Sequence, residues 1–169
     1  TEWRRLFMNS LQHELRNASG ELPQAQNLRI RFIPGWRAET LRQAMDQHKQ
    51  NERRIGRSVV GPQRDDWTVM VGDQSARLMS RGQMKLVGLL LVRARGRLMQ
   101  QAGRGSILLL DDLPADLDAQ SLRLAVNLLQ DGFIQIWLSW VSGINGDQAL
   151  APCDVEWFHV EPGLVQKST

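Results

Sequence analysis

One short segment constrains the fold of this chain more than any other. Residues 107–110 read Ile-Leu-Leu-Leu, and Asp111 and Asp112 follow them directly. A continuous apolar run of this length is typical of a strand that is covered on both faces of a parallel sheet. In α/β folds, ligands bind at the carboxyl ends of such strands. The segment therefore predicts an α/β architecture with two carboxylates at the ligand-binding edge of the sheet.

The two carboxylates suit the chemistry of phosphate cleavage. Asp111 can hold Mg²⁺, directly or through water, because this ion prefers hard oxygen ligands. Asp112 can orient or deprotonate an attacking water. Acidic loop residues follow many apolar strands, so a purely structural interpretation of this pair stays open.

Hydrophobic periodicity predicts the other elements. A turn at Gly72-Asp73 should return the chain into a second hairpin strand through Ala76 and Leu78. Gly20 and Pro23 indicate a loop. The pattern predicts helices over residues 2–17, 38–54, 80–101 and 119–130, and strands over residues 28–33, 67–71, 107–110, 133–140 and 155–160.

Composition bounds the class of protein. The 169 residues, 42% of them hydrophobic, are enough to bury a core. We find no apolar stretch long enough to span a membrane and no signal peptide. The lone Cys153 excludes an internal disulfide, so a reducing cytoplasm is expected. Because the first residue is Thr1, we expect the chain to be a piece of a longer one.

The charges are distributed unevenly. Residues 1–105 hold 19 Lys and Arg against 9 Asp and Glu, a balance of +10, whereas residues 106–169 hold 2 against 9, a balance of −7. A basic half suits a polyanion and an acidic half suits a metal ion. Arg-rich helices that are simply solvated would explain the same pattern, and the charges alone do not decide between the two.

A second motif begins the helix predicted at residues 80–101. Ser80, Gly82 and Gln83 stand there, about thirty residues before Asp112. A helix N-terminus offers free backbone N–H groups and a positive dipole end to an anion. Ser80 and Gln83 also have the spacing of an ordinary capping box. The order of helix start, buried strand and paired acids is far more specific than either motif alone.

Together these motifs resemble the C-terminal half of RecF, a bacterial family of recombination-mediator ATPases related to SMC and ABC-type ATPases. The resemblance is carried by residues 80–83, 108–112 and 115–118, and it extends to residues 32–36, 61–66 and 157–163. It implies a partial P-loop NTPase sheet of the ABC/SMC type with helices, plus part of a helical and β lid subdomain. Residues 1–60 would belong to the lid, and residues 61–169 to the C-terminal part of the ATPase domain.

The resemblance also implies a nucleotide site shared between two protomers. Asp111 would be the Walker B magnesium ligand and Asp112 the general base, while Ser139 would stand at the switch position. Asp116 and Asp118 would belong to the D-loop, which crosses the dimer interface. The signature loop, which contacts ATP held by the other protomer, would comprise Ser80, Arg81, Gly82, Gln83 and Lys85.

Members of this family act on DNA, so the resemblance implies a function on DNA for this chain. ATP and Mg²⁺ would be the cofactors, and ATP would drive homodimerisation on gapped DNA or on single-strand/double-strand junctions. RecO and RecR would be partners in loading RecA, and no membrane would be involved. Candidate DNA contacts are Arg29, Arg31, Arg37, Arg42, Arg53, Arg54, Arg57 and Arg64.

Some residues depart from the family pattern. Gln63 replaces the usual His of a Gly-Pro-His-Arg motif, Ala115 replaces the usual Ser of the D-loop, and Pro114 is also unusual there. The segment at residues 61–66 has an alternative interpretation as a structural Gly-Pro turn, with Arg64 paired to a neighbouring Asp.

No G-x-x-x-x-G-K-[ST] motif occurs in the sequence. We therefore expect this chain alone to bind ATP poorly and to hydrolyse none. We also expect exposed apolar sheet surface and self-association, because we expect strands that neighbour residues 107–110 in the complete fold to lie outside this chain. Two other functions stay open: a stand-alone DNA- or protein-binding module with a degenerate ATPase fold, and a fragment of another SMC-like ATPase, for which the sequence offers no heptad coiled coil.

Overall fold

A computed structural model of the chain describes residues 2–18, 26–141, 150 and 154–167. The predicted loop at Gly20 and Pro23 and the lone Cys153 lie outside these residues. The described helices are α1 (Glu2–Asn17), α2 (Leu41–Ile55), α3 (Arg81–Gln101) and α4 (Ala119–Leu129). The described strands are β1 (Leu28–Ile33), β2 (Asp66–Val71), β3 (Gln74–Ser75), β4 (Ile107–Asp111), β5 (Gln135–Ser139), β6 (Phe158–Glu161) and β7 (Leu164–Lys167).

The first sheet is antiparallel, in the order β1-β2-β3. Leu28 lies opposite Val71 and Ile33 lies opposite Asp66. Alternation along β1 buries Leu28 and leaves Arg29 and Arg31 exposed, as its alternating sequence predicts. This sheet therefore combines one strand from the predicted lid unit, residues 1–60, with two strands from the predicted ATPase unit, residues 61–169.

Two predicted strands were wrong in extent. The return strand through Ala76 and Leu78 is a single 3₁₀ turn, because the Ser75 hydroxyl accepts a hydrogen bond from the backbone N–H of Arg77 and ends β3 after two residues. The final strand begins at Phe158 rather than at residue 155, and it pairs with β7 in a hairpin that the periodicity did not predict.

Helix α2 starts three residues later than its apolar pattern suggested. Thr40 and Gln43 form a capping box that fixes the first turn, and Gly56, at φ 69°, ends the helix in the left-handed region. Ala44 is its one buried residue. The prediction that this polar helix packs at the periphery is confirmed.

Helix α3 lies at the centre of the described chain. One side of α3 packs Val87, Leu90 and Ala94 against α1 and β1, while Leu86 and Leu89 pack against β4 and α4. Burying each such leucine stabilises the fold by about 2 kcal/mol. The prediction that α3 is largely buried near its start is confirmed. No helix in the described ranges is both long enough and apolar enough to cross a membrane.

The second sheet pairs β4 with β5 in parallel, which confirms the predicted strand–helix–strand unit and the α/β class. Its inner face, which includes Leu108, packs on α3 and α4. Its outer face is open: Ile107 is 53% exposed, Leu109 75% and Trp137 50%. The expected cover on both faces of β4 is therefore wrong for the described residues, because alternation turns half of the apolar run away from the helices. The expected exposed apolar sheet surface is confirmed.

Candidate functional site

The carboxyl ends of β4 and β5 bring two polar side chains together. Asp111 is the last residue of β4 and lies in register with Ser139, the last residue of β5. In a parallel pair, residues in register point to the same face. The Ser139 hydroxyl accordingly donates a hydrogen bond to Oδ1 of Asp111. Asp111 and Ser139 are thus neighbours, as the predicted site requires.

The chain turns sharply after β4. Asp112 has φ 51° and Asp116 has φ 62°, a left-handed conformation that Asp tolerates better than most residues. Leu113, only 2% exposed, anchors the turn in the core. Two backbone hydrogen bonds close the turn. The N–H of Ala115 donates to the carbonyl of Asp112 at 3.3 Å, and the N–H of Leu117 donates to the carbonyl of Pro114 at 3.2 Å. The turn leaves Asp112 exposed at the edge of the sheet.

The start of α3 forms the capping box that its sequence allowed. The backbone N–H of Gln83 donates to Oγ of Ser80 at 3.3 Å, and the backbone N–H of Ser80 donates to Oε1 of Gln83 at 3.1 Å. These two bonds satisfy donors that a helix end leaves open. Ser80 and Gln83 are exposed, so the cap lies at the surface and not inside the fold.

The start of α3 lies against the turn after β4. A Cβ added to Gly82 would come within 2.6 Å of the carbonyl oxygen of Asp116, so only glycine allows this approach. Arg81 and Asp116 also form an exposed ion pair at 3.9 Å. The structure therefore brings the predicted signature loop and the predicted D-loop together within one chain.

Lys85 makes a contact that the sequence did not indicate. Its ammonium donates to the backbone carbonyls of Asp112, at 2.7 Å, and of Ala115, at 2.9 Å. A single lysine in an otherwise apolar stretch of α3 was the one available signal, and it did not identify these acceptors. Lys85 holds the helix and the turn together.

Asp118 serves as the N-cap of α4. Its Oδ1 accepts a hydrogen bond from the backbone N–H of Ser121 at 2.7 Å. The hydrogen bonds from the backbone and the hydroxyl of Ser121 lower the pKa of the Asp118 carboxyl below its ordinary value. This carboxylate is thus directed to its own helix.

Asp111 and Asp112 have the donor chemistry that magnesium prefers. Both carboxylates are exposed at the end of the sheet and offer hard oxygens. Within the part of the chain that the structure describes, no group of three or more His, Cys, Asp or Glu side chains is placed to hold a metal ion. Because Mg²⁺ is commonly bound by one or two carboxylates together with substrate phosphates and water, this donor set fits that ion.

The segment at residues 61–66 has a structural role. Asp65 accepts hydrogen bonds from the backbone N–H of Gly35, at 2.8 Å, and from the guanidinium of Arg4, at 2.7 Å. A Cβ on Gly35 would lie 2.1 Å from the carbonyl oxygen of Gly61, so the two turns are in direct backbone contact. Arg64 donates to the carbonyl of Ser58 at 2.9 Å. The segment therefore ties α1, β1 and β2 together at one corner.

The predicted DNA-contacting arginines are all exposed. Arg29 and Arg31 alternate along β1 and so lie on the same face of the first sheet. Two others, Arg53 and Arg54, belong to the last turn of α2. Arg37, Arg42, Arg57 and Arg64 complete the set.

Known proteins include relatives of this chain over nearly its whole length. No protein-family model matches the chain. Proteins described as DNA replication and repair protein RecF are 34% identical in Pseudomonas fluorescens and 32% identical in Pseudomonas putida, each over 99% of this chain and 47% of the relative. The relative from Shewanella halifaxensis is 32% identical over 98% of this chain and 46% of its own length. The chain thus spans about half the length of these relatives.

Two solved structures share the fold. The recombination mediator protein RecF-ATPrS of the RecFOR pathway superposes with a TM-score of 0.69 and 20% identity, over 98% of this chain and 46% of that one. RecF-ATP of the same pathway gives 0.69 and 19%, over 99% and 46%. These matches confirm the partial ATPase-type fold that the motifs implied. In sequence, the chain therefore matches the C-terminal part of RecF proteins over nearly its whole length, and it shares the fold of that part.

Proposed function

We propose that this chain is the C-terminal part of an ATP-dependent, DNA-binding recombination mediator that acts in DNA repair and replication. One observation carries the proposal: the capped start of α3 lies directly against the turn that follows Asp111 and Asp112. A helix start that can bind an anion is thereby fastened to the turn that follows two carboxylates, which can bind a metal and a water. The relatedness to RecF supports the same function.

Each residue of this corner has a chemical role in the proposal. Mg²⁺, bound with ATP, would neutralise charge on the phosphates. Asp111 would be its ligand, oriented by the Ser139 hydroxyl. Asp112 would accept the proton of the attacking water, and no described residue bonds to its carboxylate, which leaves it available for this role.

The signature loop would act on a nucleotide held by a second protomer. Ser80 and Gly82 stand at an exposed helix start, whose backbone N–H groups favour an anion. ATP would then join two protomers, because each supplies donors to the γ-phosphate held by the other. Hydrolysis would remove that phosphate and release the dimer.

The half of the ATPase fold that carries the P-loop would lie outside this chain. The chain contains no P-loop, and it spans about half of its RecF relatives. The outer face of β4 and β5, where Leu109 is 75% exposed, is the surface that further strands or helices of an ATPase domain would cover. The division into a lid unit at residues 1–60 and an ATPase unit at residues 61–169 remains a prediction.

The basic residues would bind DNA phosphates. The exposed arginines of β1 and α2 offer guanidinium groups that suit phosphate oxygens. RecO and RecR would be its partners in the loading of RecA on gapped DNA. The RecFOR pathway named for the neighbouring structures supports the choice of these two partners.

The hydrolytic role is tested in a protein that joins this chain to a P-loop-bearing N-terminal half. Asp112→Asn should lower ATP turnover by about 10²–10⁴-fold, because the base is lost. ATP-dependent dimers, followed by light scattering, should persist and last longer. Asp46→Asn, an exposed change on α2, is the control and should leave turnover unchanged. Turnover by this chain alone that disappears on Asp112→Asn would contradict the proposal.

The DNA role is tested by salt titration of binding to a gapped duplex. The double variant Arg29→Gln, Arg31→Gln should weaken binding and reduce the slope of log K against log salt by about 2. Arg123→Gln, an exposed change on α4, should leave the slope as it is. Equal slopes for all three proteins would remove β1 from the DNA-binding surface.

A further inference from the structure

Lys85 joins two parts of the site that are 27 residues apart in the sequence. Its ammonium lies 2.7 Å from the carbonyl oxygen of Asp112 and 2.9 Å from that of Ala115. A charged donor makes stronger hydrogen bonds than a neutral one. Lys85 is only partly exposed, so these bonds are partly shielded from water.

The turn that Lys85 binds adopts a conformation in need of support. Asp112 and Asp116 are both in the left-handed region, which side-chain-bearing residues occupy at an energetic cost. Such conformations persist where the surroundings fix them. The two bonds from Lys85 fix the carbonyls that lie between these residues.

Two further contacts dock the same turn on α3. Gly82 permits the close approach of the Asp116 carbonyl, and Arg81 pairs with the Asp116 carboxylate. The Arg81 pair is exposed and so contributes little. Lys85 is therefore the principal polar contact between the start of α3 and the turn.

We propose that Lys85 is a positioning residue that locks the turn at residues 112–116 onto α3, so that Asp112 keeps one fixed position. Lys85 then acts through the backbone of the turn and not through contact with the nucleotide, unlike its neighbours in the signature loop. This inference rests on the proposed ATPase function.

The first test uses this chain without nucleotide. Lys85→Met keeps the aliphatic stem and removes the ammonium, so the amides of Ala115 and Leu117 should exchange hydrogen on the order of tenfold faster. Lys85→Arg should restore slow exchange, because a guanidinium can also donate to two carbonyls. Lys49→Met, an exposed change on α2, is the control. Unchanged exchange in Lys85→Met would overturn the lock. Lys85→Gln provides the same comparison if the Met variant does not fold.

The second test uses the protein that joins this chain to its P-loop-bearing half. In Lys85→Met, kcat should fall about 10–100-fold, because a displaced Asp112 no longer meets the water correctly. KM for ATP and ATP-dependent dimerisation should change less than about twofold, since the proposed role of Lys85 is to hold the turn and not to bind the nucleotide. A variant that loses dimerisation while kcat is retained would overturn the inference.

The two tests separate failure of the lock from failure of the function. Faster exchange in Lys85→Met, combined with a wild-type protein that hydrolyses no ATP, supports the lock and contradicts the proposed function. Slow exchange in Lys85→Met, combined with an active wild-type protein, contradicts the lock and leaves the function supported.

Discussion

The two ends of α3 carry charged residues in opposite settings. Near its C-terminal end, Glu14 of α1 and Arg93 of α3 are 4% and 5% exposed, inside a network with Arg97 and Asp131. At its N-terminal end, Arg81 and Asp116 meet at the surface at 3.9 Å. The inner network pairs charges within the chain, whereas the outer corner presents them to solvent.

This contrast separates the charges of the inner network, which stabilise the fold, from those of the outer corner, which are accessible to ligands. Glu14 accepts a hydrogen bond from Gln101 at 2.8 Å and pairs with Arg97 at 3.1 Å. Removing one partner of such a network leaves a buried charge uncompensated. At the outer corner, water replaces a lost partner, so a change there affects activity more than stability.

The largest expected effect is at the inner network. Arg97→Met should lower the free energy of unfolding by about 3 kcal/mol, because it leaves the buried Glu14 carboxylate without its cationic partner. At the outer corner, Lys85→Met should lower it by about 1 kcal/mol. Denaturant titration measures both, with the exposed Glu39→Ala as the control. Equal losses at the two ends would break the comparison.

Two glycines of α3 lie in environments of different packing density. A Cβ on Gly96 would lie 2.7 Å from the carbonyl oxygen of Gly132 and 2.8 Å from the Phe133 ring, whereas a Cβ on Gly88 meets nothing within 4 Å. Gly96→Ala should destabilise the chain by about 1–2 kcal/mol. Gly88→Ala should stabilise it by up to about 1 kcal/mol through helix propensity. Changes of the same sign in thermal unfolding would refute this packing.

The smallest expected effect concerns the cap of α4. Folding lowers the pKa of Asp118, so its contribution to stability is present above the unfolded pKa and is lost as the pH falls through the folded one. Asp118→Asn keeps a capping side chain without titrating. The free energy of unfolding of the wild type, relative to that of Asp118→Asn, should therefore fall as the pH drops below about 4. A difference that is constant from pH 7 to pH 3, in unfolding curves, would contradict this role.

Much of the fold and the corner was predictable from local patterns. Apolar spacing placed all four described helices, and the run before Asp111 placed β4 beside a parallel partner. The spacing of Ser80 and Gln83 alone predicted their capping box. These features depend on residues close in the chain, so periodicity and capping chemistry suffice.

Other features depended on contacts between distant segments. The Lys85 bonds to the turn, the hydroxyl of Ser139 on Asp111, and the anchoring of Asp65 by Arg4 each join residues at least 27 positions apart. The late start of β6 was mispredicted as well, since its pairing with β7 begins only at Phe158, opposite Lys167. The short β3 is a different case, because the local hydrogen bond to the Ser75 hydroxyl ends it.

Local sequence patterns were enough to predict the α/β class, the pair of acids at the end of an apolar strand, and the capped helix start that resembles a signature loop. The fastening of the helix start to the acidic turn, and the choice of which face of β4 and β5 packs on the helices, emerged only in the folded chain. The physical reason is that propensity and periodicity act between neighbours in the chain, whereas docking and burial depend on which surfaces meet in space.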